Sequence, residues 1–172
     1  MKKLNNIVMF ACNEGGHFSQ TMALKALFND YPSVLLTDNP RASKSLPGLE
    51  SIEDVLVIKG TANARKEKKG SHHIDSRWTY FRGYVSLFKE CFRAVKKVRP
   101  KVIITTGSNI AVPTFLMGKI IGSRLIFIET RAHVYGKTMT GKLVSRFSDM
   151  VIVQWPEMLK VYPRASYYGT LV

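Results

Sequence analysis

NIVMFACNEGGHFSQ, Asn6 to Gln20, decides how the rest of the chain is read. Its first half is a near-continuous apolar run. Its second half places Gly15, Gly16 and His17 on a short turn, and TMALKALFND then follows with the spacing of an amphipathic helix. A buried strand that enters a helix through a glycine turn is the opening unit of a parallel α/β sheet. Such a turn brings backbone N–H groups and the positive end of a helix close to an anion, and glycine allows the close approach.

Similar apolar runs recur along the chain: SVLLTD (33–38), DVLVIKG (54–60), KVIITTG (101–107), RLIFIET (124–130) and MVIVQW (150–155). Their continuous hydrophobicity suits strands covered on both faces. Helical patterns alternate with them over Phe18–Asp30, Trp78–Val98 and Ile110–Ile121, with a shorter one near Thr138–Phe147. The alternation predicts a Rossmann-like open parallel sheet with helices on both faces. The length of 172 residues fits one domain over 1–172. TANARKEKKGSHHIDS, Thr61–Ser76, is polar and basic without an apolar period and reads as a mobile loop.

In an open α/β sheet the ligand crevice lies outside the carboxyl ends of the strands. Polar residues cluster at four such ends. Asn13, Glu14, Gly15, Gly16 and His17 follow the first run, and Thr105, Thr106, Gly107, Ser108 and Asn109 follow the fourth. Glu129, Thr130, Arg131 and His133 follow the fifth, and Gln154, Trp155 and Glu157 the sixth. Each also has a local reading: Gly15–Gly16 as a tight turn, Ser108 or Asn109 as a helix cap, His17 as a cap on its turn. Neither G-x-G-x-x-G nor G-x-x-x-x-G-K-[ST] occurs. Asp38 ends the second run, where a dinucleotide fold holds ribose, but without the glycine fingerprint this carries little weight.

The charge is uneven. Lys and Arg number 26 against 12 Asp and Glu, for a net +14, and the excess is densest between Arg65 and Lys101. This favours a polyanionic partner. In RWTYFRGYVSLFKECFRAVKKVRP, Phe81, Tyr84, Val85, Phe88, Phe92, Val95 and Val98 recur at helical steps, which gives a face to pack on the sheet. Arg77, Trp78, Tyr80, Phe81 and Arg82 crowd aromatics among cations at its start, a composition suited to an anionic bilayer surface. No nucleic-acid recognition motif accompanies the charge. Cys12 and Cys91 lie in apolar segments without metal-ligand spacing, so they read as buried reduced thiols, and no metal site is expected. No run is long enough to span a bilayer, and the N-terminus is too weakly apolar for a signal peptide, which points to the cytosol.

GGHFSQ, TTGSNIAVP, FIETRAHVYGKTMTGKLVSRFSDMVIVQWPEM and YPRASYYGTLV together resemble the asparagine-linked glycosylation protein fourteen-like family of oligosaccharide biosynthesis proteins. They are most similar to its bacterial members that serve capsule and exopolysaccharide synthesis. The resemblance implies the N-terminal, acceptor-binding half of a GT-B glycosyltransferase, similar to that of the transferase completing the lipid-linked peptidoglycan precursor. A separate partner chain would bind the UDP-sugar donor, so this chain would hold no cofactor itself. The acceptor would be a saccharide on a polyprenyl diphosphate, met at the cytoplasmic face of the membrane by a peripheral protein. His17 would be the base and Glu129 the alternative. Asn13, Gly15, Gly16, Thr106, Gly107, Ser108, Asn109 and Arg131 would contact the acceptor, and Trp155, Leu171 and Val172 the partner. Two further readings stay open, a scaffold that recruits a catalytic partner and a nucleotide- or nucleic-acid-binding Rossmann-like protein.

Overall fold

The computed structural model describes residues 6–42, 51–59 and 77–171, with backbone alone for 77–80. The basic loop expected over Thr61–Ser76, the side chains of Arg77, Trp78 and Tyr80, and Val172 lie outside the described residues.

Seven strands form one sheet: β1 (Val8–Cys12), β2 (Ser33–Thr37), β3 (Ile52–Val57), β4 (Val102–Thr105), β5 (Arg124–Ile128), β6 (Met150–Val153) and β7 (Ser166–Tyr167). Their order is β3-β2-β1-β4-β5-β6-β7. Every pairing is parallel. The chain builds outward from β1 to β3, then crosses back to lay β4 on the other side of β1. The carboxyl ends of β1 and β4 therefore flank the point where strand order reverses, and an open α/β sheet has its crevice there.

β1 shows why both faces are covered. Met9 and Ala11 enter one core cluster, and Val8, Phe10 and Cys12 enter the other, as the two-residue period of a strand requires. Helices α1 (Gly16–Met22) and α2 (Ala26–Asp30) cover the second cluster. Phe28 of α2 meets Phe10 edge to face at 4.7 Å between ring centroids. Helices α3 (Arg77–Val98), α4 (Ala111–Ile120) and α5 (Met139–Val144) cover the first. Gly118 sets α4 close on the sheet, since a Cβ there would lie 2.5 Å from Ile103 Cδ1 and 2.9 Å from Leu125 Cδ2. Cys12 and Cys91 are both buried, one in each cluster, and burial pushes their thiols up to about 12.

The sequence reading needs four corrections. The helix expected over Phe18–Asp30 is two helices, because Leu24 and Lys25 bond back only three residues, to Thr21 and Met22, and turn the chain at Ala23–Lys25. The third strand runs Ile52–Val57, earlier than expected, and as an edge strand it is largely exposed. A short 3-10 helix, Pro156–Lys160, and strand β7 were not expected at all. On α3 the buried stripe is Leu87, Cys91, Ala94 and Val95, whereas Phe81, Tyr84 and Val85 face solvent.

Candidate functional site at the switch point

Gly15 has φ +94°, a conformation other residues rarely adopt, and its carbonyl accepts the Ser19 N–H at 3.0 Å to open α1. His17 follows in the first turn. Its Nδ1 lies 2.9 Å from the Thr106 carbonyl oxygen at the end of β4. A carbonyl can only accept, so Nδ1 carries a proton, and in the neutral imidazole the lone pair is then on Nε2, the tautomer a general base needs. The Thr106 and Thr21 hydroxyls both donate to the His17 carbonyl at 2.9 Å, which fixes the backbone from the other side.

The turn after β4 is shaped around that imidazole. Gly107 has φ +109°, and a Cβ on it would sit 3.1 Å from His17 Cε1. Ser108 continues the left-handed turn at φ 82°, and α4 then begins at Ala111, after an Ile110 N-cap that makes no side-chain cap bond. Neither α1 nor α4 has an acidic residue in its first turn, although Glu14 directly precedes the Gly15 N-cap of α1 and the Asp38 carboxylate is bonded to the same turn. Thr105 and Thr106 are buried and hold the two turns together; the Thr105 hydroxyl donates to the Ala11 carbonyl at 2.6 Å and accepts the Gly107 N–H at 3.2 Å.

Asp38 braces the same region from β2. Its carboxylate accepts Asn13 Nδ2 at 2.5 Å and the Glu14 N–H at 2.7 Å. Its acceptors are thus engaged by the β1–α1 turn, where the dinucleotide reading would have placed a ribose. Among the described residues, Asn13 Oδ1 and Ser108 Oγ are buried without a hydrogen-bond partner, one on each turn beside His17.

Glu129, at the end of β5, is only 1% exposed. Its carboxylate accepts the Thr130 N–H at 3.0 Å, the Thr138 N–H at 3.3 Å, the Thr138 hydroxyl and the buried Tyr162 hydroxyl. Burial and the adjacent Glu129 raise the Tyr162 phenol well above its ordinary range. Lys137 covers the Tyr162 ring at 4.5 Å, and Gly141 leaves room for the cluster, since a Cβ there would collide with Tyr162, Glu129 and Thr138. The carboxylate thus joins β5, the start of α5 and the residues after the 3-10 helix, and is directed into the protein.

Sequence reasoning missed Gln20, which is concealed in a helical pattern and buried. Gln20 Nε2 donates to the Gly16 carbonyl at 3.3 Å and to Thr130 Oγ1 at 3.2 Å. Its Oε1 accepts the Arg131 N–H at 3.1 Å and Gln154 Nε2 at 2.6 Å. Gln154 Nε2 also donates to the Glu129 carbonyl at 2.9 Å, and its Oε1 accepts the Leu171 N–H at 2.9 Å. Trp155 Nε1 donates to the Arg131 carbonyl at 2.7 Å, and the Arg131 side chain is exposed. Among the described residues no group of His, Cys, Asp and Glu has the arrangement of a metal site.

Residues 15–171 match the family described as oligosaccharide biosynthesis protein Alg14 like. The chain belongs to the Alg14-like family. A relative from Yarrowia lipolytica, "UDP-N-acetylglucosamine transferase subunit ALG14", is 30% identical over 99% of this chain and 83% of its own. The Mus musculus protein of the same name is 21% identical over 96% and 82%. Among solved structures, Acinetobacter baumannii MurG superposes with a TM-score of 0.61 at 16% identity, over 89% of this chain and 43% of its own. The calicheamicin glycosyltransferase CalG4 superposes at 0.60 with 12% identity, over 99% and 53%. The Alg14-like chain therefore spans about half the length of these structures, and its sheet is that of the N-terminal Rossmann-like domain of GT-B glycosyltransferases.

On the side of this Alg14-like sheet that carries α3, α4 and α5, apolar side chains project outward at helical spacing. They are Phe81, Tyr84 and Val85 on α3, Leu116 and Ile120 on α4, and Met139 and Leu143 on α5. Arg82, Lys89, Lys119 and Lys142 are exposed on the same helices. Of these apolar groups, Phe81 alone was expected from sequence at an exposed aromatic and basic surface; Tyr84 and Val85 were expected to pack on the sheet, and the contributions of α4 and α5 were not expected, because two apolar residues four apart on a short helix look like core until the neighbours are known. Among the described residues no helix is long and apolar enough to cross a membrane.

Proposed function

We propose that the chain is the acceptor-side subunit of a two-chain UDP-sugar glycosyltransferase that extends a saccharide on a polyprenyl diphosphate. The observation that carries this reading is the imidazole of His17, fixed at the switch point with Nδ1 on the Thr106 carbonyl and Nε2 left as a base. An acceptor hydroxyl placed against Nε2 gives up its proton as its oxygen attacks the anomeric carbon. The bond from that carbon to the UDP oxygen breaks, and UDP leaves on the partner. The diphosphate of the acceptor fits the two turns at Gly15–His17 and Gly107–Asn109, both glycine-shaped and free of acidic first turns, with Arg131 on the rim. Asn13 Oδ1 and Ser108 Oγ supply polar contacts there.

The donor belongs to the partner, and this chain binds no cofactor of its own. The relatives are named as UDP-N-acetylglucosamine transferase subunits, which makes UDP-N-acetylglucosamine the first donor to test. The partner docks near β7, where Tyr167 and Tyr168 are exposed beside Leu171, with Trp155 on the adjoining loop. Glu129 serves as an organiser of the β5 end, since its acceptors are already engaged. The protein sits peripherally on the cytoplasmic membrane face through the outer surfaces of α3, α4 and α5, which combine exposed apolar groups with cations. The capsule or exopolysaccharide setting rests on the sequence resemblance alone.

The test is transfer of labelled N-acetylglucosamine from its UDP donor to lipid-linked saccharide extracted from membranes, by this chain, its partner, and both together. Transfer by the pair alone, lost in His17→Ala, is the expected result. Full transfer by the partner alone makes this chain a recruiting scaffold, and unimpaired transfer with His17→Ala removes the imidazole from the reaction.

A further inference from the structure

Gln154 and Gln20 make a continuous buried bridge between two places that the reaction needs and the fold otherwise keeps apart. At one end the Leu171 N–H donates to Gln154 Oε1 at 2.9 Å. In the middle Gln154 Nε2 donates to Gln20 Oε1 at 2.6 Å. At the other end Gln20 Nε2 reaches the Gly16 carbonyl at 3.3 Å, one residue from His17, and Gln20 Oε1 holds the Arg131 N–H at 3.1 Å. Gln154 is 1% exposed and Gln20 is 6% exposed.

The amide orientations are dictated by fixed backbone groups. The Glu129 carbonyl, 2.9 Å from Gln154, can face only an NH2, and the Leu171 N–H can face only an oxygen. Gln20 is fixed likewise by the Gly16 carbonyl and the Arg131 N–H. Reversing either amide sets oxygen against oxygen in a buried site, so the relay has one low-energy arrangement and displacement at one end is felt at the other.

We propose that Gln154 and Gln20 are positioning residues, a buried amide relay that makes the order of the His17 turn depend on the seating of the Leu171 backbone, and so on a subunit docked there. The docking half rests on the two-chain reading; the relay is a property of this chain alone. Binding at Leu171 stabilises the arrangement in which Gln154 accepts its N–H. Gln20 is then held more firmly against Gly16 and Arg131, and the acceptor side of the crevice, already arranged in the free chain, is further ordered when the donor-bearing subunit is present.

Amide hydrogen exchange on the full chain tests the relay without any transfer assay. Leu171→Pro removes the N–H at the start of the relay, and Leu171→Ala keeps it. The expected result is that Leu171→Pro speeds exchange about tenfold in segments 13–19 and 130–133 as well as locally, leaving β1 and β4 unchanged, while Leu171→Ala leaves segment 13–19 within about twofold of the parent. Gln154→Glu, which opposes an oxygen to the Glu129 carbonyl and to Gln20, gives the same pattern as Leu171→Pro. Gln20→Glu keeps acceptors for Gln154 and Arg131 but sets an oxygen against Gly16, and loosens segment 13–19 alone. Changes confined to 166–171, or equal effects of Leu171→Pro and Leu171→Ala, overturn the relay. If the first two disruptive variants lose protection throughout, Gln20→Glu decides, and unchanged exchange in 13–19 overturns it.

The second arm adds the UDP-sugar-binding subunit that restores transfer. Its binding slows exchange of segment 13–19 in the parent chain and not in Gln154→Glu. Equal protection in both overturns the coupling. Failure of that subunit to bind the parent chain overturns the docking half and the two-chain reading while leaving the first arm standing.

Discussion

His17 and Thr106 hold each other twice across the switch point: the Thr106 carbonyl takes the imidazole Nδ1 at 2.9 Å, and the Thr106 hydroxyl donates to the His17 carbonyl at the same distance. Side chain and backbone of the candidate base are thus fixed by one residue of the neighbouring strand end. Replacing His17 by Ala removes the base and leaves the backbone bonds in place. Transfer by the reconstituted pair is expected to fall about 10²–10⁴-fold, with a melting temperature within a few degrees of the parent. Transfer assays and a thermal melt on the same preparation check both halves.

Gly107→Ala attacks the same pairing from the other side. The new methyl would sit 3.1 Å from the His17 ring on a residue at φ +109°, so both the imidazole and the turn must shift. The expected cost is about 1–3 kcal/mol of stability with a transfer loss of at least about tenfold, read from urea midpoints and initial rates.

Glu129 gives the opposite pattern if it is an organiser. Tyr162→Phe removes one donor from its buried carboxylate and is expected to cost about 1–3 kcal/mol in urea unfolding, with the rate per folded molecule nearly unchanged. Glu129→Gln places an NH2 group against donors and is expected to destabilise further. A fully stable Glu129→Gln protein with its rate reduced about a hundredfold would return the carboxylate to the list of bases.

Alkaline pH is expected to weaken the fold. The Cys12 and Cys91 thiols are pushed from 9.0 up to about 12 by burial, and Tyr162 moves in the same direction. The unfolded chain therefore releases these protons first. Stability is full below about pH 8.5 and declines as pH rises through the folded values, by up to about 1.4 kcal/mol per pH unit for each group. Urea midpoints between about pH 7 and 11 measure the slope, and a Cys12→Ala, Cys91→Ala double variant is expected to flatten its first part.

Membrane association is expected to depend on the outer faces of α3 and α4. Arg82→Glu with Lys89→Glu should lower sedimentation with anionic phospholipid vesicles by about tenfold or more, and Leu116→Ser with Ile120→Ser should lower it with less dependence on salt. Unchanged sedimentation in both would place the membrane contact elsewhere.

Six of the seven strands are legible in the sequence because each lies in a near-continuous apolar run, fully buried in β1 and β2, while the edge strand β3 is placed two residues late because its first half carries Glu53 and Asp54, polar and exposed. β7 is not, being two residues, Ser166 and Tyr167, that pair only because β6 lies beside them. The break between α1 and α2 is equally silent, since TMALKALFND contains no glycine or proline. At the site, strand-end position is enough to nominate His17 and Thr106–Asn109. Their division of labour is not visible there: the burial of Glu129 depends on Tyr162, 33 residues later, and the role of Gln20 on Gln154, 134 residues away. Partners that far apart leave no local periodicity.

The distance in sequence between His17 and Thr106 also sets an order of events during synthesis. The residues are 89 apart, so at roughly 5–20 residues per second the ribosome adds the second about 5–20 s after the first. β1 and β2 can pair in that interval, but the other edge of β1 stays open until β4 is made. The nascent chain thus carries a central strand with one open edge and an unoriented imidazole together, and a single event, the arrival of β4, closes the edge and sets the ring.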